Sequence, residues 1–239
     1  MSIKSLAKAL LPRPLQTPLA RARGHLFDVY ATKSYSQEGE ELILRRIFAD
    51  RSCGFYVDVG AHHPRRFSNT YSFYRAGWSG INIEPSPEAV LAFVRERKRD
   101  TNLQLGVAET PQTLRYHMFD EPALNTFDEE LTKWRLANTP YKLIGTRDVA
   151  VERLDSILRK HLPAGQKIDF MSVDVEGLDL PVLRSNDWTS FRPTCVLAEA
   201  LGTSLEEVMR SDVYEFMRAN RYRLFSKLYN TLVFLDADV

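Results

Sequence analysis

The sequence predicts an α/β protein built on a mostly parallel sheet. Two apolar runs with the character of buried strands, 55–59 and 80–84, each end in an acidic or glycine-containing turn, and a short amphipathic segment separates them. Further buried strands are expected at 168–175 and 194–198, in alternation with helical segments. Ligands bind such sheets at the carboxyl ends of the strands, so these turns are candidate ligand contacts.

The elements of the first half follow from periodicity and caps. Apolar residues at helical spacing behind the polar start 36–41 predict a helix within 34–48. Ser86 as N-cap and Pro87 at the first helical position predict a helix that reaches residue 99. The other elements are, in order, a strand over 55–59, a short helix from 68 to 77, a strand over 80–84 and a third strand over 103–107.

The pattern loosens after residue 113. Candidate strands lie at 114–118 and 148–151, and the segment between them, 119–147, is too long for a plain connection, which predicts a functional insertion. The remaining elements are a helix over 153–162, strands over 168–175 and 194–198, a helix from Thr203 or Ser204 to 220, and strands over 222–225 and 231–235. The close spacing of the last two strands predicts an antiparallel hairpin that closes the sheet.

Composition narrows the class of protein. A chain of 239 residues with 44% hydrophobic content can bury one sizeable core, and its net charge of +1 gives no overall attraction to nucleic acid. Residues 1–33 form a basic leader with five cations before the first acid, Asp28. We expect this leader to be partly ordered; the alternative is an arm that docks on a membrane surface or an assembly partner.

The leader and the cysteines indicate the cellular compartment in which we expect the protein. The leader's apolar run is too short to span a bilayer and lacks the pattern of a signal peptide. Cys53 and Cys195 match no metal or redox spacing. We therefore expect a reduced, cytoplasmic protein, with membrane association through the leader as an open alternative.

The turn after the first strand favours a nucleoside cofactor without phosphates. Gly60 allows close approach of the backbone, and Glu84, 24 residues further on, is placed to accept hydrogen bonds from ribose hydroxyls. A dinucleotide turn of the form G-x-G-x-x-G would need glycine where the chain has His62 and Arg65. S-adenosylmethionine is therefore favoured, while an NAD-dependent oxidoreductase and a non-catalytic nucleoside-binding module remain the alternatives.

A series of motifs in fixed order resembles the FkbM-type methyltransferases. The motifs are SQEGEE at 36–41, VDVGAHHP at 57–64, SNT at 68–70, GW at 77–78 with GINIEP at 80–85, EPALNTF at 121–127, and IDF at 168–170 leading to DVEG at 174–177. The resemblance implies a Rossmann-like class I methyltransferase domain over residues 34–239, with helices on both faces of the sheet. It also implies O-methylation of a carbohydrate hydroxyl in a glycan or a glycosylated metabolite.

The resemblance further implies a set of cofactor contacts. The amide groups of Gln37 and Asn69 would hold the methionine carboxylate and amine, although each could instead be an ordinary cap. Asp100 and the backbone near Val107 would lie at the adenine edge. The full set of predicted cofactor contacts is Gln37, Asp58, Gly60, Ala61, His62, Asn69, Thr70, Glu84, Pro85, Asp100, Val107 and Asp174.

Few residues could take the proton of an acceptor hydroxyl. Asp174 and Glu176 lie on the same side of an extended segment, and His63 adds an imidazole in the cofactor turn, so these three are the predicted catalytic residues. The two carboxylates could alternatively cap the next helix or, with Glu199, bind Mg²⁺; no metal ligand is assigned because no diagnostic spacing is present. Predicted acceptor contacts are Arg65, Asn125, Thr126 and Glu199, with the insertion as an acceptor lid.

Overall fold

A computed structural model describes residues 30–200 and 204–239 of the chain. Most of the predicted basic leader, and Thr203 as one of two predicted helix caps, lie outside the described residues. The chain divides into two units, residues 1–33 and 34–239, and all the elements below belong to the second. In the described ranges, no helix is both long enough and apolar enough to cross a bilayer.

The second unit alternates strands and helices over most of its length. In chain order the elements are α1 (Glu40–Ile47), β1 (Phe55–Val59), α2 (Tyr71–Arg75), β2 (Ser79–Ile83), α3 (Pro87–Glu96), β3 (Thr101–Leu103), β4 (Gly106–Val107), β5 (Gln112–Phe119), a 3₁₀ turn (Pro122–Leu124), α4 (Glu129–Asn138), β6 (Leu143–Glu152), α5 (Leu154–His161), β7 (Phe170–Val173), α6 (Asp179–Arg184), β8 (Cys195–Glu199), α7 (Leu205–Val208), α8 (Asp212–Ala219), β9 (Tyr222–Lys227) and β10 (Thr231–Asp236).

Within the described residues, seven strands form one sheet in the order β3-β2-β1-β7-β8-β10-β9. Strands β3, β2, β1, β7 and β8 pair in parallel, whereas β10 is antiparallel to both of its neighbours. This confirms the predicted α/β class, the mostly parallel sheet and the C-terminal antiparallel hairpin. The order brings the carboxyl ends of β1, β2 and β7 next to one another.

Two apolar clusters cover the two faces of this sheet. Val57 and Val59 of β1 pack in one cluster with buried residues of α5, α6 and α8. Tyr56, the residue before Val57, packs in the other cluster with Leu44 of α1 and Phe73 of α2. Alternation of side chains along the strand explains the split and confirms the prediction of helices on both faces.

A small second sheet carries the predicted insertion. Its order is β4-β6-β5, with β5 and β6 antiparallel over most of their length. The 3₁₀ turn and α4 lie between these two strands. Residue 126 returns to form an isolated bridge with His117 of β5, so the loop at 125–127 folds back beside the sheet.

The predicted third strand over 103–107 is wrong as a single element. The chain leaves the main sheet after Leu103, which pairs with β2, and Gly106 pairs instead with Val151 of β6. A Cβ at Gly106 would lie 2.7 Å from the Phe127 ring, so glycine is required where the chain crosses to the small sheet.

Two predicted helix bounds are also wrong. The helix predicted to reach 220 is interrupted after Val208, because Ser211 caps a new helix by accepting a hydrogen bond from the Tyr214 amide at 3.2 Å. Helix α1, by contrast, lies within the predicted range 34–48 and begins at Glu40, after Gly39 at its N-cap with a left-handed φ of 90°. Helix α3 starts as predicted with Ser86 as cap but ends at Glu96, where Arg97 leaves the helical conformation.

Candidate active site

A pocket of about 720 Å³, including its open mouth, lies at the carboxyl ends of β1, β2 and β7. This position and size are those of a small-molecule site in a parallel α/β sheet. The structure brings twelve predicted site residues to the pocket lining, namely Gln37, Asp58, Gly60, Ala61, His62, Asn69, Glu84, Pro85, Asn125, Thr126, Asp174 and Glu176.

The turn after β1 approaches the pocket through backbone atoms. The amides of Gly60 and Ala61 both donate to the carbonyl oxygen of Ile83, at 3.0 and 3.2 Å, which ties this turn to the end of β2. Gly60 has a φ of 78°, and a Cβ there would lie 1.7 Å from the Asp174 carbonyl oxygen. Glycine is therefore required by the fold at this position, before any ligand is considered.

Glu84 presents a buried carboxylate at the end of β2. Its two oxygens accept hydrogen bonds from the amides of Ser86, at 2.8 Å, and His62, at 2.9 Å. Burial raises the pKa of Glu84 to about 7, although these amides and the Tyr116 hydroxyl oppose the shift by bonding the ionised form. The amides fix the carboxylate in place, and its remaining lone pairs can accept hydrogen bonds from a diol.

Asp58 and Asn69 line the pocket on either side of the Gly60 turn. Asp58 accepts a hydrogen bond from the Thr70 hydroxyl at 2.9 Å, so Thr70 supports Asp58 and is itself behind the pocket lining. Burial raises the pKa of Asp58 to about 6. Asn69 donates to the Ser172 hydroxyl at 3.0 Å, while its buried Oδ1 has no partner in the part of the chain that the structure describes. That oxygen is available to a cationic donor.

Of the two predicted adenine contacts, Asp100 lies outside the pocket, whereas Val107 lies in an adjoining cavity. The Asp100 carboxylate accepts hydrogen bonds from the Tyr56 hydroxyl at 2.7 Å and the Gly80 amide at 3.0 Å. The guanidinium of buried Arg97 lies 3.7 Å from the same carboxylate. Asp100 therefore belongs to a buried structural cluster and not to the pocket lining. Val107 lines a smaller apolar cavity, which shares Gly60, Pro85, Phe127 and Val175 with the main pocket. The flat, apolar ring of a ligand in the main pocket could extend into this cavity.

Three carboxylates gather at the ends of β7 and β8. One oxygen from each of Asp174, Glu176 and Glu199 lies within 4.8 Å of the other two. We call these three residues the acidic cluster. Asp174 is exposed toward the pocket and Glu176 lines it, whereas Glu199 stands behind them and is not in the lining. Such a cluster can hold shared protons or one hard cation.

The acidic cluster holds protons more tightly than isolated carboxyls do. Burial and the neighbouring carboxylates raise the pKa of Glu199 to about 10. Desolvation by the surrounding protein, together with the nearby carboxylates of Glu176 and Asp179, raises the pKa of Asp174 well above its usual range. Burial also raises the pKa of Glu176, but the guanidinium of Arg135 opposes that shift. Glu176 is thus the member of the cluster with a positive partner.

The two histidines of the turn differ in placement. His62 lines the pocket, burial lowers its pKa to about 4, and its buried Nε2 lacks a partner among the described residues. His63 is not in the lining, and its Nδ1 accepts hydrogen bonds from the amides of Arg65 and Arg66, each at 3.0 Å. The geometry therefore brings the neutral imidazole of His62, rather than the predicted His63, to the pocket.

The arginines after the turn are already paired. Arg65 forms an ion pair with Glu96 and lies outside the pocket lining. Arg66 binds Glu121 through two hydrogen bonds of 2.8 and 2.9 Å, which connects the cofactor-side turn to the start of the insertion. The predicted acceptor contact of Arg65 consequently receives no support from its position.

The insertion closes one side of the pocket. Asn125 Oδ1 accepts a hydrogen bond from the Phe119 amide at 2.8 Å, and the Thr126 hydroxyl donates to the carbonyl oxygen of Glu176 at 2.9 Å. Thr126 therefore joins the insertion directly to the acidic cluster. Both residues line the pocket, as the acceptor-lid prediction requires.

Sequence reasoning missed four residues of the site. Tyr116 and Phe67 line the pocket, Ser172 lines it below Asn69, and Arg135 contacts the acidic cluster. Alternation along β7 could have found Ser172, which shares the side of Asp174. No local pattern singles out Arg135, because its partners come from distant parts of the chain.

Comparison with known proteins identifies the family to which the chain belongs. The sequence model described as Methyltransferase FkbM domain matches residues 58–224, well over half of the chain. The matched region begins at Asp58, contains Glu84, the insertion and the acidic cluster, and ends within β9. A search of the curated proteins finds no match.

Proposed function

Because the chain belongs to the FkbM methyltransferase family, as the motif series predicts and the match over 58–224 shows, we propose that it transfers a methyl group from S-adenosylmethionine to a carbohydrate hydroxyl. The chain is thus a methyltransferase by family. The methyl donor, the hydroxyl and the carbohydrate acceptor are the parts that the proposal adds.

The charge of the pocket carries the proposal. Among the described residues that line it are four carboxylates, Asp58, Glu84, Asp174 and Glu176, and neither lysine nor arginine. Such a lining suits a sulfonium and an ammonium group, and in its described part it offers no cation to a pyrophosphate. This observation favours S-adenosylmethionine over a dinucleotide.

The donor set also fits the parts of this cofactor. Glu84 offers lone pairs of a fixed carboxylate to the ribose hydroxyls, and Asn69 Oδ1 offers a buried, unpaired acceptor to the amino group. Gln37 in the lining supplies an amide to the methionine carboxylate. The apolar cavity beside Val107 has the character of an adenine site.

When bound, S-adenosylmethionine supplies a methyl group already activated by the positive charge on sulfur. The protein must then hold the acceptor hydroxyl in line and accept its proton. The acidic cluster can do both: as the oxygen of the acceptor gains the methyl group, its O–H bond breaks and the proton passes to a carboxylate oxygen of Asp174 or Glu176. A positioned base of this kind contributes about 10²–10⁴-fold to the rate.

The proposed compartment is the cytoplasm. Cys53 and Cys195 are free, with Cys53 exposed and Cys195 buried. Reduced thiols fit a reducing compartment.

Two experiments test the proposal. S-adenosylmethionine or its demethylated product should raise the melting temperature, whereas NAD should not, because a ligand that binds only the folded state stabilises it. Incubation with isotopically labelled S-adenosylmethionine and a panel of glycans should then give a product that is heavier by one methylene and carries the label. Stabilisation by NAD alone would favour an oxidoreductase instead, and cofactor binding without transfer to any glycan would contradict the proposed acceptor.

A further inference from the structure

A buried arginine from the insertion reaches the acidic cluster. Arg135 of α4 is only 5% exposed, and its guanidinium donates a hydrogen bond to Oε2 of Glu176. Another nitrogen of the same guanidinium donates to the carbonyl oxygen of Leu124, at 2.6 Å. A buried guanidinium is retained in a fold when such partners compensate its charge. Arg135 therefore ties the 3₁₀ turn of the insertion to Glu176.

Glu176 itself has an unusual backbone conformation. Its φ is 56°, in the left-handed region that residues with a side chain rarely adopt, and Gly177 follows with a φ of 98°. Residues persist in this region when their surroundings hold them there, and they concentrate at functional sites. Here the Thr126 hydroxyl holds the Glu176 carbonyl oxygen, and Arg135 holds its side chain. Both contacts come from the insertion.

This arrangement leaves one carboxylate oxygen of Glu176 for a ligand. Oε2 is bonded to Arg135, and Oε1 has no hydrogen-bond partner among the described residues. Glu176 lines the pocket beside Asp174, its closest acidic neighbour in the chain. Because the hydrogen bond from Arg135 holds Oε2 in place, it also fixes the position of Oε1 in the pocket.

Resting on the proposed function, we infer that Arg135 is a positioning residue, which fixes Glu176 so that its second oxygen receives the hydroxyl of the acceptor. Arg135 does not touch the reacting atoms; it acts through Glu176. Because it also holds Leu124, the acceptor-side wall and the acidic cluster form one unit. The planar guanidinium of arginine can donate to a carboxylate and to a carbonyl oxygen at the same time. The ammonium of lysine holds two such acceptors in a fixed geometry less well.

The test compares Arg135→Met, Arg135→Lys and Glu176→Gln in the labelled methyl-transfer assay with the glycan found by the panel. Arg135→Met should lower kcat by about 10²-fold, the scale of a misplaced reacting group, and leave the affinity for S-adenosylhomocysteine unchanged. Arg135→Lys should recover part of the loss. The double variant Arg135→Met, Glu176→Gln should be no slower than either single variant, because residues that act as a unit are not additive.

The double variant also guards against misfolding, since it removes both charges and leaves no unpaired carboxylate in the interior. A matched control is Arg192→Met, which breaks the ion pair of Arg192 with Asp236 on β10, away from the pocket. This control should lose stability but keep kcat and KM. If Arg135→Met keeps its kcat, or if it loses cofactor affinity in step with kcat, the inference is wrong.

A measurement without acceptor completes the test. Hydrogen exchange of the S-adenosylhomocysteine complex should quicken at the amides of residues 124–126 and 176–178 in Arg135→Met, but not in Arg192→Met. Unchanged exchange at both segments would show that Arg135 anchors neither and would overturn the inference. Failure of the wild-type protein to bind S-adenosylhomocysteine defeats the proposed function, whereas binding with normal kcat in Arg135→Met defeats the positioning role alone.

Discussion

Replacement of Glu84 by glutamine should weaken cofactor binding strongly. The carboxylate is buried and held by two backbone amides, and its remaining lone pairs can accept hydrogen bonds from a ribose. Hydrogen bonds to a charged group contribute about 1.5–3 kcal/mol each, so the loss of charge at this site should cost about 3 kcal/mol of binding energy. The expected result is a roughly 10²-fold higher Kd for S-adenosylhomocysteine by isothermal titration calorimetry.

The pH dependence sharpens this prediction. With its pKa at about 7, Glu84 is protonated in part of the free protein at neutral pH, and only the ionised form accepts both ribose hydroxyls. Affinity in the wild-type protein should therefore rise as pH increases through about 7, and this rise should be absent in Glu84→Gln. Glu88→Gln is the matched control, because Glu88 is exposed on α3 outside the pocket.

The raised pKa of Glu84 should also make the cofactor-free protein less stable as pH rises. In the folded state Glu84 holds a proton that the unfolded chain has released above its ordinary pKa of 4.5. Unfolding therefore becomes easier between pH 4.5 and about 7, by about 3 kcal/mol in total, and Glu84→Gln should remove this contribution. A glutamine variant that is folded, binds the cofactor like the wild type and keeps the pH dependence would refute the role of Glu84.

Three further predictions concern the rest of the chain. Asp174→Asn should lower turnover by about 10²-fold with little change in cofactor binding, as loss of a base predicts. An inactive His62→Ala that still binds cofactor would instead point to the imidazole that lines the pocket. Activity should survive a chelator, because the guanidinium of Arg135 already gives the acidic cluster a positive partner; a loss that Mg²⁺ restores would identify a metal site. Deletion of residues 1–25 should leave cofactor binding intact, since the recognisable sheet begins later, and an insoluble product would show that the leader packs on the core.

The part of the site that sequence can predict is the part that lies at strand ends. Asp58, Glu84 and Asp174 each follow a recognisable apolar run, and parallel pairing brings such ends together without further information. Their placement in one pocket required no knowledge of side-chain contacts. The main sheet was predictable from its buried apolar runs, and the hairpin from the close spacing of the last two strands.

The part that sequence could not predict depends on contacts between distant segments. Arg135 meets Glu176 only because the small sheet folds the insertion back, and the sequence alone does not reveal that pairing. His62 and His63 could not be distinguished, because His62 has a left-handed φ of 53°, which breaks the alternation of an extended chain. Asp100 was misplaced since its cluster with buried Arg97 is equally non-local.

The position of β10 between β8 and β9 suggests an order of folding that can be stated as a prediction. Strand β9 precedes β10 in the chain, yet it reaches the sheet only through β10. The connection between the two strands is three residues long, so the hairpin is a local structure that closes at low entropic cost. Pairing of β10 with β8 joins segments that are further apart in sequence, and β9 reaches the sheet edge only through that pairing. We therefore expect the hairpin to dock as a preformed unit, with the edge of β8 open until it does.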